Sequence, residues 1–198
     1  MKTPPTPAPF DLFVVRDFLD AATRDRLAAE MGAAAGAPAS VYGREGEAGA
    51  LDERVRRAAR LTPSRETAEF VRRRLLGLMA EVGAHFGLAL GGCEEPQFLR
   101  YRTGDFFVAH QDGNTGLLRL ATDASRRVSA VIFLSRQAET PAPGAYCGGS
   151  LVFTDWRDGR VYSPRAEPGT LVAFRAETTH EVTPVTSGER LSIACWYG

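Results

Sequence analysis

Apolar and polar residues follow different patterns in the two halves of this 198-residue chain. In the first half, apolar residues recur three or four positions apart, which is the period of a helix that buries one face. After Glu95, short apolar runs are separated by turns rich in Gly, Pro, Asn and Asp, which is typical of short antiparallel strands. The pattern therefore predicts helices first and a sheet-rich region after them.

The first half is predicted to contain one strand and two helices. The strand covers about 10–15, and the first helix covers about 21–35 and ends at Gly36. The second helix is predicted to begin after Ser64, whose hydroxyl can cap free N–H groups, and to run to about Phe86. Its buried stripe is expected to consist of five apolar side chains: Phe70, Leu75, Leu78, Met79 and Val82.

The second half is predicted to contain eight strands. They cover about 97–102, 105–111, 128–134, 149–153, 160–163, 170–174, 180–185 and 191–197. Eight short strands after two helices predict an antiparallel β-sandwich or jelly roll with the helices packed outside it. The segments 113–127 and 136–148 are predicted to be longer loops, one of them bordering a pocket.

The chain is long enough for one domain with a sizeable core. Residues 1–9, which include four prolines, are expected to be a flexible N-terminal arm. Residues 10–198 are expected to be a single domain, with helical support at about 17–90 and a jelly-roll core at about 95–198.

Composition and charge argue against several classes of partner. The chain has 24 Lys and Arg against 24 Asp and Glu, so it lacks the basic excess of a nucleic-acid-binding surface. No apolar run approaches the ~20 residues of a membrane span, and residues 1–9 lack the apolar centre of a secretory signal. The cysteines, Cys93, Cys147 and Cys195, are odd in number and widely spaced, so reduced thiols and a cytoplasmic location are expected. The oligomeric state is left open.

Three features of the first half have both a functional and a plain interpretation. Residues 36–50 hold four glycines and predict either a mobile flap over a site or an ordinary surface loop. Residues 52–60 hold four arginines, which predict a solvated face first and a grip on an anionic substrate second. His85, near the end of the second helix, is expected to be structural rather than a metal ligand.

The candidate chemistry centres on the stretch from Tyr101 to Asp112. If the strand continues through it, His110 and Asp112 point to one face and Gln111 to the other. An imidazole and a carboxylate on one face are two of the three ligands of the two-His, one-carboxylate site that holds non-haem Fe(II). A His-x-Asp pair is a weak signal by itself, so a second histidine and an anion-binding group are needed.

Both groups occur later in the chain. His180 heads a predicted strand, and Arg190 follows the Ser187-Gly188 turn. The two strands are predicted to form a hairpin that brings the guanidinium near a metal but not onto it. Arginine suits this position because its planar fork grips both oxygens of a carboxylate.

These residues belong to an ordered series that resembles a known family. The series is Tyr101, His110, Asp112, Gly148, Gly149, Leu151, Pro164, Pro168, Gly169, Leu171, Phe174, His180, Pro184, Gly188, Arg190 and Trp196. In this order, about residues 95–198 resemble the Fe(II)/2-oxoglutarate dioxygenases, and within them the prolyl 4-hydroxylase-like branch. The resemblance implies a mainly β fold, a double-stranded β-helix (jelly roll) with N-terminal helices packed on one sheet.

The resemblance also implies a role for each matching residue. His110, Asp112 and His180 would be the iron ligands, and Arg190 would pair with the distal carboxylate of 2-oxoglutarate. Tyr101 would line the co-substrate or substrate pocket and could hydrogen-bond to 2-oxoglutarate. No catalytic residue beyond the metal site is expected.

The chain departs from the family at one position of this pocket. Some prolyl hydroxylases have a tyrosine on the strand after the ligand pair, where this chain has Phe133. Arg190 would then need another helper, for which Thr170, Thr179 and Ser192 are candidates. Trp196 would pack near the iron site. An apolar interior is expected around the iron site, formed by Val131, Phe133, Leu151 and Phe174 among others.

The implied reaction couples oxidative decarboxylation of 2-oxoglutarate to hydroxylation of a C–H bond. It requires Fe(II), with 2-oxoglutarate and O2 as co-substrates and ascorbate as a candidate reductant. The first hypothesis for the substrate is a prolyl residue in a protein or peptide. The second is a free amino acid or other small metabolite, held by a charge clamp that would include Arg56, Arg57, Arg102 or Arg127.

Two hypotheses come from other classes. A non-catalytic jelly-roll module could keep the metal ligands for structure or sensing, although an intact ligand set with Arg190 argues against it. Three ligands and a water would also suit a zinc hydrolase, but that function gives Arg190 no purpose.

Overall fold

A computed structural model describes residues 10–39, 52–113 and 126–198 of the chain. In these ranges the protein consists of two helices, two larger β-sheets and a small third sheet. The helices are α1 (Ala21–Ala33) and α2 (Arg65–Phe86). The strands are β1 (Leu12–Val15), β2 (Gly36–Pro38), β3 (Arg56–Arg57), β4 (Ala59–Leu61), β5 (Gln97–Tyr101), β6 (Phe106–His110), β7 (Val128–Phe133), β8 (Arg136–Gln137), β9 (Ala145–Gly148), β10 (Leu151–Asp155), β11 (Arg160–Tyr162), β12 (Leu171–Arg175), β13 (His180–Val182), β14 (Val185–Ser187) and β15 (Arg190–Tyr197).

The major sheet has the strand order β1-β12-β7-β15-β5-β4-β2. Along each strand, successive side chains point to opposite faces of the sheet and therefore lie in two different environments. On β15, Leu191 and Ile193 join the core that the helices cover, together with Leu75 and Val82 of α2. Arg190 and Ser192 point to the other face, into the space between the two larger sheets.

The minor sheet has the order β11-β10-β13-β6-β3. Apolar side chains from both larger sheets meet in the space between them, where Phe133 and Phe174 of the major sheet pack with Leu151 and Phe153 of the minor sheet. Val131 is partly buried against this group. Two sheets with helices covering one outer face form the jelly roll that the sequence predicts.

Local capping signals set the helix boundaries. The Asp20 carboxylate accepts a hydrogen bond from the Thr23 N–H at 2.7 Å, and the Ser64 hydroxyl accepts one from the Thr67 N–H at 3.3 Å. Gly87 ends α2 in the left-handed conformation, with a φ of 64°. The predicted start and end of α2 are therefore confirmed, whereas α1 ends at Ala33, slightly before the predicted 35.

Several segments that were predicted as loops or as solvated surface form short strands instead. Gly36–Pro38 is β2, which pairs with β4, and residues 136–148 contain β8 and β9. In the arginine-rich segment, Arg56 lies in β3 and is 9% exposed, contrary to a wholly solvated face. Short strands such as these carry little sequence periodicity, because only two to four residues are paired. Most of the 36–50 flap, the 1–9 arm and most of the 113–127 loop lie outside the described residues.

The predicted hairpin between the strands of His180 and Arg190 is wrong. β13 pairs with β10 and β6 in the minor sheet, whereas β15 pairs with β5 and β7 in the major sheet. Between them, β14 leaves both larger sheets and pairs with β9. His180 and Arg190 therefore belong to different sheets and are not neighbours along one ladder.

Of the two helices in the described ranges, neither is both long enough and apolar enough to cross a lipid bilayer.

Candidate metal centre and co-substrate pocket

Two neighbouring strands of the minor sheet position the histidines. His110 ends β6 and His180 begins β13, and antiparallel pairing puts the two residues opposite each other. Their ring centroids are 4.2 Å apart. The register of this pair shifts between His180 and Val182, so the regular ladder is interrupted next to the site.

Asp112 completes the cluster from the loop that follows β6. Its backbone N–H donates to the Ala176 carbonyl at 2.9 Å, which holds the loop beside β12. Its carboxylate faces both imidazoles, with Oδ1 at 3.5 Å from His110 Nε2 and Oδ2 at 3.4 Å from His180 Nε2. The ligand atoms of the three residues all lie within 4.8 Å of one another. The Ser129 hydroxyl donates to Oδ2 at 2.7 Å and fixes the carboxylate from the major sheet.

Each histidine is oriented by a backbone carbonyl two residues before it. His110 Nδ1 lies 2.8 Å from the Val108 oxygen, and His180 Nδ1 lies 2.9 Å from the Thr178 oxygen. A carbonyl only accepts, so the Nδ1 atom of each ring carries a proton, and Nε2 is the nitrogen that faces Asp112 and can bind a metal. Two such nitrogens and a carboxylate directed at one point form a donor set for a divalent cation of the non-haem iron type.

The electrostatics of His110 and Asp112 favour the protonation states in which these two residues bind metal. Burial lowers the pKa of His110, and the neighbouring His180 lowers it further. Burial alone would raise the pKa of Asp112, but His180 and His110 hold the pKa of this carboxyl well below its usual range. Neutral imidazole and ionised carboxylate are the forms in which these groups bind metal.

Aromatic rings enclose the imidazoles. Phe107 stacks on His110 with centroids 3.6 Å apart, and Phe174 meets His180 edge-on at 4.6 Å. The Arg56 guanidinium also lies over the Phe107 ring, 4.7 Å from its centroid. The rings restrict the orientation of both histidines and exclude water from one side of the cluster.

Arg190 enters the interior from the first residue of β15. The residue is 2% exposed, and its guanidinium lies 5.1 Å from the Tyr101 ring centroid and 5.8 Å from that of Phe133. Nη1 donates to the Ser192 hydroxyl at 2.7 Å, and Nε has no hydrogen-bond partner. Within the described ranges, no carboxylate pairs with Arg190. Leaving a buried charge without a partner costs about 3–5 kcal/mol, so an anion bound beside Arg190 would be stabilised.

The remaining sequence candidates are distributed around this site. Ser192 contacts Arg190, whereas Thr179 accepts a hydrogen bond from the Gln111 amide at 3.2 Å. Thr170 is buried, and no described contact joins it to Arg190. Trp196 faces Ser129 across the β15–β7 pair, so it lies beside the group that holds Asp112. His85 is away from the cluster, with Nε2 at 3.0 Å from Asp11 Oδ1, as expected for a structural residue.

Tyr146 also belongs to the Arg190 pocket, although no motif in the sequence singles it out. The residue lies on β9, is 1% exposed, and its hydroxyl is buried without a hydrogen-bond partner. Burial raises the pKa of this hydroxyl, and the Arg190 charge acts in the opposite direction. An aromatic residue just before Gly148-Gly149, inside a segment otherwise predicted as loop, is the only sequence signal for it.

The comparison of the sequence with known protein families agrees with this cluster and its buried arginine. Residues 96–198 match the model of the 2OG-Fe(II) oxygenase superfamily. The chain belongs to this superfamily. The predicted family and its requirement for Fe(II), 2-oxoglutarate and O2 are therefore confirmed, and the matched segment contains the three clustered residues, His110, Asp112 and His180, as well as Arg190.

Curated relatives match about half of the chain. A PKHD-type hydroxylase of Burkholderia thailandensis is 39% identical over 103 residues, which are 51% of this chain and 41% of that protein. A PKHD-type hydroxylase of Shewanella oneidensis matches with the same identity and coverage. The chain thus spans less than half the length of the curated relatives it matches.

Solved structures resemble nearly the whole chain. A prolyl-4-hydroxylase from Pseudomonas putida has 26% sequence identity and a TM-score of 0.70, covering 96% of this chain and 92% of that one. A Trichoplax adhaerens prolyl hydroxylase, solved with a peptide fragment of the hypoxia inducible factor oxygen degradation domain, has a TM-score of 0.75 at 16% identity, covering 96% and 84%. These likenesses confirm the prolyl 4-hydroxylase-like jelly roll.

Proposed function

We propose that this oxygenase couples oxidative decarboxylation of 2-oxoglutarate to hydroxylation of a prolyl residue in a protein or peptide. The observation that carries the proposal is Arg190, a buried cation without an acidic partner in the described structure, in the same interior as the His110, Asp112 and His180 cluster. A bound 2-oxoglutarate dianion would offer its distal carboxylate to Arg190 and turn its keto-acid end towards the cluster of His110, Asp112 and His180. The similarity to the Pseudomonas putida prolyl-4-hydroxylase supports the choice of substrate.

His110, Asp112 and His180 would hold the metal on one face and leave the other positions open to ligands. Bound Fe(II) supplies the redox chemistry by which O2 and 2-oxoglutarate hydroxylate an unactivated C–H bond. Ser129 holds the Asp112 carboxylate, and the Val108 and Thr178 carbonyls hold the histidine rings. Arg190 orients the co-substrate by its distal end.

The surroundings of the pocket exclude water from the reaction. Phe107 and Phe174 cover the histidine rings, while Phe133 and Phe153 lie in the apolar cluster between the sheets. A dry, apolar lining strengthens the electrostatic attraction between Arg190 and a carboxylate. It also limits side reactions of the oxidising centre.

A panel of proline-containing peptides, incubated with the protein, Fe(II), 2-oxoglutarate and O2, tests this proposal. Mass spectrometry is expected to show a gain of one oxygen on proline and an equal amount of succinate, both dependent on 2-oxoglutarate. The absence of 2-oxoglutarate binding and of succinate formation in the wild-type protein would show that the proposal is wrong.

A cavity lined by several arginines favours a second substrate class, a small anionic metabolite. The cavity measures about 290 Å³, and Arg56, Arg57, Arg100 and Arg102 line it together with Asp52, Glu53 and Asp105. Three of these arginines, at 56, 57 and 102, are among the clamp residues that the sequence predicts. The fourth clamp candidate, Arg127, is exposed and does not line this cavity.

Arg100 gives this second candidate its physical basis. It is 9% exposed, its Nε has no hydrogen-bond partner, and no described ion pair involves it. The cavity reaches Arg56, whose guanidinium stacks on the ring that covers His110. A metabolite extract treated in parallel with the peptides separates the two substrates. Oxygen gain on an acidic metabolite, with a higher KM for that metabolite in Arg100→Gln and an unchanged KM for 2-oxoglutarate, would favour the second.

A further inference from the structure

The Arg190 pocket needs a second hydrogen-bond donor. The guanidinium uses one N–H on the Ser192 hydroxyl, and the strand position where a tyrosine would stand in some prolyl hydroxylases holds Phe133. Phe133 lies beside the guanidinium but has no hydroxyl. A carboxylate beside Arg190 would therefore receive no hydrogen bond from a β7 hydroxyl.

Tyr146 reaches the same pocket from β9. The closeness of the two side chains is visible at Gly149, where an added Cβ would lie 3.2 Å from both Arg190 Cδ and Tyr146 Cε2. The Tyr146 hydroxyl is enclosed by protein and has no hydrogen-bond partner. Buried hydroxyls without partners are rare, because they lose their bonds to water and gain nothing in return.

Tyr146 is suited to donate rather than accept. Burial raises the pKa of its hydroxyl, so the group keeps its proton at neutral pH. A carboxylate can only accept, and it takes short, strong bonds from a phenol and a guanidinium at once. Ser192 has a different role: its hydroxyl oxygen already accepts a hydrogen bond from Arg190 and so fixes the orientation of the guanidinium.

We propose that the Tyr146 hydroxyl donates a hydrogen bond to the distal carboxylate of 2-oxoglutarate, so that β9 provides the hydroxyl that β7 lacks at Phe133. This inference rests on the proposed function, because it assigns a binding residue for the same co-substrate. It also explains why a glycine is needed at position 149. Any side chain at 149 would press on both Arg190 and Tyr146.

Direct binding measurements test the role of Tyr146. Isothermal titration of the Mn(II)-loaded protein compares 2-oxoglutarate with 2-oxobutyrate, which has the keto acid but no distal carboxylate. Tyr146→Phe is expected to weaken 2-oxoglutarate binding about 10- to 100-fold, the range for a hydrogen bond to a charged group. Its affinity for 2-oxobutyrate is expected to be unchanged. Tyr162→Phe, at a half-buried tyrosine that packs on Phe10, is the matched control.

The double variant Phe133→Tyr with Tyr146→Phe returns a hydroxyl to the pocket from the neighbouring strand. It is expected to recover 2-oxoglutarate binding relative to Tyr146→Phe, and thermal unfolding of each variant shows that the fold is kept. Equal losses for 2-oxoglutarate and 2-oxobutyrate in Tyr146→Phe, or no loss at all, would overturn the inference. If the wild-type protein binds neither keto acid, the proposed function fails instead.

Discussion

His110 and His180 lie directly opposite each other on adjacent antiparallel strands, with ring centroids 4.2 Å apart. Each ring donates its Nδ1 proton to a carbonyl two residues earlier in the chain. The repeated arrangement means that strand pairing, rather than a flexible loop, sets the distance between the two Nε2 atoms. Sites built on regular strands hold their geometry better than sites built on loops.

Removing a histidine of this pair should abolish metal binding. His110→Ala is expected to lower the affinity for Fe(II), or for Mn(II) as a redox-stable probe, by more than about 100-fold, which exceeds the effect of outer contacts. Succinate formation should be lost with it. The matched control is His85→Ala, which removes a histidine that pairs with Asp11 outside the site. Full activity in His110→Ala would disprove the ligand assignment.

The Ser129 hydroxyl should tune the metal affinity without being a ligand. Ser129→Ala removes the 2.7 Å hydrogen bond to Asp112 Oδ2 and is expected to weaken Mn(II) binding about 10- to 100-fold. Ser163→Ala removes a hydroxyl that donates to the Leu151 carbonyl and serves as control. Equal metal affinities in the two variants would mean that Asp112 does not depend on Ser129.

Arg190 should lower the stability of the ligand-free protein and stabilise the complex with 2-oxoglutarate. In Arg190→Met, removal of a buried unpaired charge is expected to leave the free energy of unfolding unchanged or to raise it by up to about 3 kcal/mol. The rise in melting temperature that 2-oxoglutarate gives the wild-type protein should disappear.

Thermal unfolding with and without 2-oxoglutarate measures both effects of Arg190→Met. Arg160→Met, at an exposed arginine that pairs with Asp155 and Asp158, should keep the ligand-dependent shift. A strongly destabilised ligand-free Arg190→Met protein would contradict the idea that the pocket holds an unpaired charge.

Gly149 should be needed for the shape of the co-substrate pocket. Gly149 has a φ of +57°, and an added Cβ would lie 2.8 Å from Val185 Cγ2 as well as close to Arg190. Gly149→Ala is therefore expected to weaken 2-oxoglutarate binding in addition to straining the backbone. Gly144 has a φ of +67° with nothing within 4 Å of an added Cβ, so Gly144→Ala isolates the backbone effect. Titration of both variants with 2-oxoglutarate should show a loss of affinity at 149 alone.

Local sequence signals were sufficient for the parts of the molecule that depend on neighbours in the chain. Asp20 and Ser64 set the helix starts because a cap acts over three residues. The faces of β7 and β15 follow from alternation, and the ordered series from Tyr101 to Trp196 marks the family. The three clustered residues could be named because their types and order are what the chemistry requires.

Only the tertiary structure decided which strands pair and which side chains meet. β14 crosses to β9 instead of joining a His180–Arg190 hairpin, and this crossing brings Tyr146 to the arginine. Arg56 is buried because β3 pairs with β6, although its own segment is rich in charge. Which strands pair depends on which faces, distant in sequence, can be buried together. Short edge strands contain too few residues for their sequence pattern to indicate the pairing partner. The candidate ligands can therefore be named from the sequence, whereas the pocket around Arg190 forms only once the sheets have closed.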